Sequence, residues 1–205
     1  MKKTYCRMCK GKNLEGFLDL GFTPLADGFL RKEQLDEPET YYPLNVCICI
    51  DCGLAQLDYV VEPDELYRKN YPYLSSTTKT GRAHFHGMAD SICRRFGMAK
   101  GSLAIDIGSN IGVLLEGFKK NGLRVLGIDP AANIAKMANK RGIETWPEYF
   151  GPHLIKKVLS KKGKASVITG TNVFAHVDNI DDIVKTVKEL LVDDGIFVIE
   201  FPYLV

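Results

Sequence analysis

The stretch Leu103-Ala104-Ile105-Asp106-Ile107-Gly108-Ser109-Asn110-Ile111-Gly112 constrains this chain more than any other. An apolar run ends in an acid, small residues follow, and then Val113, Leu114, Leu115 and Phe118 recur at helical spacing. This spacing predicts a buried strand, a tight turn and the start of a helix. Gly108 and Gly112 carry no Cβ, so the backbone can bend there and a ligand can approach closely. The helix would aim its first unpaired N–H groups at that ligand. The unit reads as a cradle for a nucleotide-type cofactor.

A dinucleotide fingerprint needs G-x-G-x-x-G, and Asn110 stands where its middle glycine would be. The pattern acid-x-Gly-x-x-x-Gly is closer to the first motif of class I methyltransferases, which bind S-adenosylmethionine. An ordinary turn with no ligand is the plain alternative.

From residue 101 the pattern alternates regularly. Strands are expected at Leu123 to Asp129, Gly142 to Trp146, Ala165 to Thr169 and Gly195 to Phe201. Helices are expected at Ile134 to Lys140, His153 to Leu159 and Ile180 to Leu191. Such alternation predicts a parallel, right-handed, doubly wound α/β sheet. Ligands in these sheets bind at the carboxyl ends of the strands. The candidates there are Asp106, Gly108, Ser109, Asn110, Gly112, Asp129, Glu148, Tyr149 and Asn172. Asp129, about 20 residues past the turn, stands where a carboxylate accepts ribose hydroxyls. Glu148 suits an adenine amino group, with Tyr149 and Phe150 as stacking rings, and Asn172 lies nearer the methionine end. His176 falls beside the reacting centre. Taken singly, each of these has an ordinary structural role as its alternative.

The first 60 residues differ in kind. They show little helical period, much turn chemistry and short apolar pieces such as Phe17-Leu18-Asp19-Leu20 and Val46-Cys47-Ile48 that predict small strands. Two Cys-x-x-Cys pairs, Cys6/Cys9 and Cys49/Cys52, can bring four thiolates onto one tetrahedral ion, with Gly11 and Gly53 expected to free the turns. Cys47 rivals Cys49 as a ligand, and the two-residue gap favours Cys49. A redox dithiol would need a helix N-terminus in a thioredoxin-like unit, which neither pair has. Four thiolates leave no open position, so a structural Zn2+ is expected. Between this module and the cradle lie Asn70-Tyr71-Pro72-Tyr73-Leu74-Ser75-Ser76, an irregular loop, and a helix with Phe85, Met88, Ala89, Ile92 and Phe96 on one face, stopping at Gly97.

Composition narrows the remaining classes. The 205 residues are 45% hydrophobic and 25% charged, enough for a real core and unlike a disordered chain. A net charge of +2 with scattered cations argues against nucleic acid. Neither a signal-like start nor an apolar run of roughly 18 residues is present, so a cytoplasmic protein without membrane contact is expected. Six cysteines there argue for metal and not for disulfides.

Taken in order, the motifs resemble the zinc-containing C-methyltransferases of NDP-deoxysugars. They are Cys6-Arg7-Met8-Cys9 followed by Leu18 to Asp27, Cys49 to Leu57, Tyr71-Pro72-Tyr73-Leu74-Ser75-Ser76, the glycine turn, Gly127-Ile128-Asp129-Pro130 and Thr171 to Val177. The resemblance implies S-adenosyl-L-methionine as cofactor, an NDP-keto-sugar as substrate, and Tyr73 and His176 as catalytic residues. It implies a zinc-binding domain at 1–60, a loop and linking helices at 61–100, and an S-adenosylmethionine-binding, Rossmann-like domain at 101–205. In that family a Glu-His pair with the proposed base lies further on, so the expectation here is a class I methyltransferase sheet truncated after its fifth strand. Leu74 also replaces a histidine of the family pattern. A homodimer or a separate C-terminal partner chain would then cover the open sheet edge. A non-catalytic, zinc-stabilised fragment or partner protein is the alternative, and an NAD-dependent sugar enzyme is disfavoured by Asn110.

Overall fold

The computed structural model describes residues 1–68, 71–75 and 77–202. Asn70 and Ser76, quoted in the motifs above, lie outside the described residues. The chain forms two compact units, Met1–Pro72 and Tyr73–Val205. The segment 61–100 that the sequence sets apart is divided between them, its helix belonging to the second.

The first unit carries an antiparallel sheet of three strands, β1 (Leu14–Thr23), β2 (Tyr42–Cys49) and β3 (Ala55–Leu57), in the order β1-β2-β3. β1 is longer than its apolar core predicts and is exposed along nearly all its length, with two register shifts against β2. Among the described residues of this unit, the buried apolar side chains are Cys6, Cys47 and Cys49. A single π-helical turn, Asp64–Arg68, follows.

The second unit is the doubly wound sheet. It contains α1 (Lys79–Arg95), β4 (Leu103–Ile107), α2 (Val113–Lys120), β5 (Arg124–Ile128), α3 (Ala132–Lys140), β6 (Thr145–Trp146), α4 (Ile155–Lys161), β7 (Ala165–Thr171), α5 (Ile180–Leu190) and β8 (Leu191–Glu200). The five strands run parallel in the order β6-β5-β4-β7-β8. The order reverses at β4, whose five residues are all buried.

Alternation along β4 sorts the core into two layers. Leu103, Ile105 and Ile107 pack with Leu154 and Val158 at α4 and with Ile183, Val187 and Leu190 of α5. Ala104 points the other way, where Ala89 and Ile92 of α1, Leu114, Leu115 and Phe118 of α2 and Ala138 of α3 cluster. Helices on both faces explain why the strands are apolar runs and not alternating ones.

Two boundaries differ from expectation. The third strand shrinks to two residues, because Gly142 with φ +76 and Ile143 still belong to the turn that leaves α3. α5 runs directly into β8, and residues 192–195 are absorbed as a bulge between the Ala165–Leu191 and Val167–Ile196 pairings.

Candidate functional site

Each Cys-x-x-Cys pair closes the same knuckle. The Cys6 N–H donates to Gly11 O and the Lys10 N–H to Cys6 O; the Cys49 N–H donates to Leu54 O and the Gly53 N–H to Cys49 O. The fourth residue after the first cysteine is therefore the left-handed one, Lys10 at φ +65 and Gly53 at φ +77. The expectation that Gly11 provides this freedom is corrected. Gly11 lies close to its neighbours instead: a Cβ there would stand 2.1 Å from Asp51 Oδ2 and 3.2 Å from Cys9 Sγ, and its N–H donates to that sulfur.

Both knuckles present their thiols to one point. Cys6 and Cys52 Sγ are 3.6 Å apart, Cys9 and Cys49 Sγ 3.5 Å, and all four lie within 4.8 Å of one another. Four sulfurs at about 2.3 Å from a central Zn2+ would stand roughly 3.8 Å apart, so the set fits a tetrahedral ion. The Cys47 thiol lies outside this group and donates to Gln56 O. Since only glycine holds φ near +77 without strain, Gly53→Ala is expected to cost about 1–2 kcal/mol and Lys10→Gly to stabilise slightly, read by thermal unfolding.

The cradle sits at the carboxyl end of β4. Gly108 at φ +63, Asn110 at φ +48 and Gly112 at φ +81 turn the chain from the strand into α2. The two glycines are also close-approach positions, where a Cβ would stand 2.4 Å from Val173 Cγ2 and 2.7 Å from Ile143 Cγ2 respectively.

Two carboxylates are buried beside this turn. Asp129, just past β5, accepts the Asn110 N–H at 2.9 Å and the Ala131 N–H at 2.9 Å. Asp106, on β4, accepts the hydroxyl of Thr169 at 2.6 Å. Burial pushes the Asp106 carboxyl up to about 7, the Thr169 hydroxyl opposes that shift, and the Asp129 charge adds to it. Burial likewise raises Asp129, against the two backbone N–H groups it accepts. A ligand bringing hydroxyl donors and positive charge would relieve both groups. An anionic diphosphate would not.

The other expected residues distribute unevenly. The Ser109 side chain is buried against β5, and a Cβ on Gly127 would come within 2.3 Å of its Oγ. Glu148 is ion-paired with Lys157, with His153 Nε2 at 3.9 Å. Tyr149 is half-buried, and Phe150 is spent in the core. Asn172 is exposed at φ +56, its N–H donating 2.7 Å to Glu200 O. His176 is exposed on the helical turn Phe174–His176. Tyr73 is exposed, and its carbonyl accepts from Asn110 Nδ2 at 3.0 Å.

Three further features escaped the sequence. Thr169 holds Asp106 across the β4–β7 pairing, and only its register opposite Asp106 could have revealed it. His84 Nε2 meets Glu200 Oε2 at 2.8 Å, joining α1 to the end of β8. Glu116 of α2 gathers Arg82, His86 and Arg141 and so ties α1 and the end of α3 to α2. The guanidinium of Arg141, then that of Arg82, and the His86 ring hold the Glu116 carboxyl below its ordinary value, against a partial burial that would raise it.

Comparison with known proteins gives two family matches. Residues 6–67 match the family described as "Putative zinc binding domain", and residues 81–204 match the one described as "Methyltransferase domain". The C-methyltransferase NovU of Streptomyces niveus is 38% identical over 200 residues, which cover 98% of this chain and 47% of that protein. The ubiquinone biosynthesis O-methyltransferase of Methylobacterium sp. (strain 4-46) is 28% identical over 116 residues, covering 53% of this chain and 47% of that one. The chain thus spans about half the length of the curated relatives it matches. Among solved structures, the plantazolicin methyltransferase BpumL, in complex with a pentazolic desmethylPZN analog and SAH, aligns with a TM-score of 0.47 at 19% identity. That alignment covers 60% of this chain and 48% of that one. No helix among the described residues is long and apolar enough to cross a membrane.

Proposed function

This chain belongs to the methyltransferase family, its class I fold preceded by a zinc-binding domain, and on that premise we propose that it binds S-adenosyl-L-methionine and serves C-methylation of an NDP-keto-deoxysugar. The observation that carries the reading is the pair of buried carboxylates, Asp106 and Asp129, set beside a glycine turn at the point where the strand order reverses. That pair of acceptors suits a cofactor with ribose hydroxyls, an ammonium and a sulfonium. S-adenosylmethionine, when bound, supplies an electrophilic methyl group.

Asp129 would accept the ribose hydroxyls and Asp106 would serve the cationic part. Gly108 and Gly112 let the backbone approach. Tyr149 would flank the adenine, and Asn172 would serve the methionine end. Glu148 acts near the adenine only after parting from Lys157. Carbon methylation beside a ketone requires removal of the α-proton and support for the enolate oxygen. Tyr73 and His176 are the residues of this chain that would line the reacting centre. Positioning of the two reactants supplies much of the rate. Cys6, Cys9, Cys49 and Cys52 hold a structural Zn2+, closed to chemistry because all four positions are taken.

The test offers the zinc-loaded chain an NDP-keto-deoxysugar and a methyl-labelled donor, and reads the sugar by mass spectrometry and NMR. The expected product carries one labelled methyl on the carbon next to the ketone, with an equal amount of S-adenosylhomocysteine. Tyr73→Phe and His176→Ala lower its yield. Label on a sugar oxygen, or no transfer with the donor intact, contradicts the reading.

A further inference from the structure

Asn110 stands in the turn where sequence comparison with dinucleotide sites would put a glycine, and its side chain is spent on the protein itself. Its Nδ2 donates to the Tyr73 carbonyl at 3.0 Å, and its Oδ1 accepts the Ser75 N–H at 3.0 Å and the Ile111 N–H at 2.9 Å. The amide orientation is fixed by these partners, because two N–H groups point at one end and a carbonyl at the other. The group is 7% exposed, so these bonds are made largely away from water. Asn110 therefore pairs with residues 73–75 as a neighbouring strand would, gripping both sides of Leu74. On its other side, its backbone N–H reaches Asp129 Oδ2. One residue thus connects the ribose-binding carboxylate to the backbone of Tyr73.

We propose that Asn110 is the positioning residue for Tyr73, and that a ligand seated on Asp129 tightens the 73–75 segment through it. The proposal rests on the cofactor reading above. The physical route is short. A ligand that holds Asp129 also holds the Asn110 backbone, and the Asn110 amide is oriented by its bonds to Tyr73, Ser75 and Ile111. Tyr73 is exposed and follows an irregular segment, and its carbonyl is held by the Asn110 amide.

Asn110→Gly removes the amide while suiting the positive φ, so the turn survives. Asn110→Asp keeps the acceptor for Ser75 and loses the donor to Tyr73. Amide exchange at Ser75, measured by NMR on the full zinc-loaded chain with and without S-adenosylhomocysteine, reads the fastening directly. In the wild type the Ser75 N–H is protected, and the ligand slows its exchange at least tenfold further. In Asn110→Gly that protection is lost in both states, and Asn110→Asp restores part of it. Ser75 exchange that is equal in wild type and Asn110→Gly overturns the proposal. So does a ligand affinity that collapses in Asn110→Gly while Ser75 stays protected, which would make Asn110 a ligand contact. If the wild type binds no S-adenosylhomocysteine, the cofactor reading fails. The Ser75 comparison in the free protein then still decides whether Asn110 positions the segment.

Discussion

Chelation of the metal, or Cys49→Ser, is expected to unfold residues 1–60 while leaving the doubly wound sheet intact. Among its described residues the first unit buries almost no apolar core of its own. A three-stranded sheet is stable when an apolar face is covered, yet β1 is exposed on both faces and Phe17, Leu18, Leu20 and Phe22 each stand at least 45% exposed. The buried apolar side chains among the described residues of the first unit are three cysteines, two of them in the thiolate cluster. Among its described residues the unit is tied by its ladder bonds, by the Gln56 amide bridging Tyr5 and Arg7, and by the Arg7 guanidinium donating to Leu57 O. Structural zinc contributes on the order of 10–16 kcal/mol in small modules, more than such a unit could otherwise gather. In an NMR spectrum, chelator should collapse the amide dispersion of the first unit and leave that of β4 to β8 in place, with one equivalent of zinc released. A first unit that keeps its dispersion without metal would refute the structural role.

Asp106→Asn is the second large effect, and it should stabilise the fold while weakening the site. Asp106 is shut away from water on the central strand, and its carboxyl is pushed up to about 7 from the ordinary 3.8. A folded state that holds the proton more tightly than the unfolded one loses stability as pH rises from about 4 to about 7, and then stays level. The span corresponds to about 4 kcal/mol at most. Asparagine keeps an oxygen for the Thr169 hydroxyl and carries no charge to desolvate. Its advantage over the wild type should therefore be small near pH 4 and full above pH 7. Thermal melts at pH 5 and pH 8 check this: the gap in melting temperature should widen by several degrees toward pH 8. The same variant should bind S-adenosylhomocysteine at least tenfold more weakly. An acid kept at a stability cost is what a ligand site demands.

Much of the second unit was legible because its signals are local. Runs such as Leu103 to Ile107 bury completely on both faces of the sheet, and the helices between them carry their apolar stripes openly. The convergence of Asp106, Asn110 and Asp129 follows from strand ends, which the alternation places. The first unit was harder to read. β1 is exposed and shows no alternation to betray its full length, and the left-handed position in the first knuckle falls on Lys10, where composition gives no hint. Long-range side-chain partners were not legible either. The bond from Asn110 to Tyr73 spans 37 positions, and an asparagine in a turn ordinarily signals only the turn. Glu148 finds Lys157 on α4, a partner that depends on how α4 returns past the end of β6.

The turn from Asp106 to Gly112, together with Asp129, is proposed to hold S-adenosylmethionine. Isothermal titration of the zinc-loaded chain with S-adenosylhomocysteine tests it most directly. One equivalent should bind, and Asp129→Asn and Asp129→Ala should each lose about 1.5–3 kcal/mol, roughly ten- to a hundredfold in affinity. An absence of heat from a folded, zinc-loaded chain, or binding that both variants leave untouched, would contradict it.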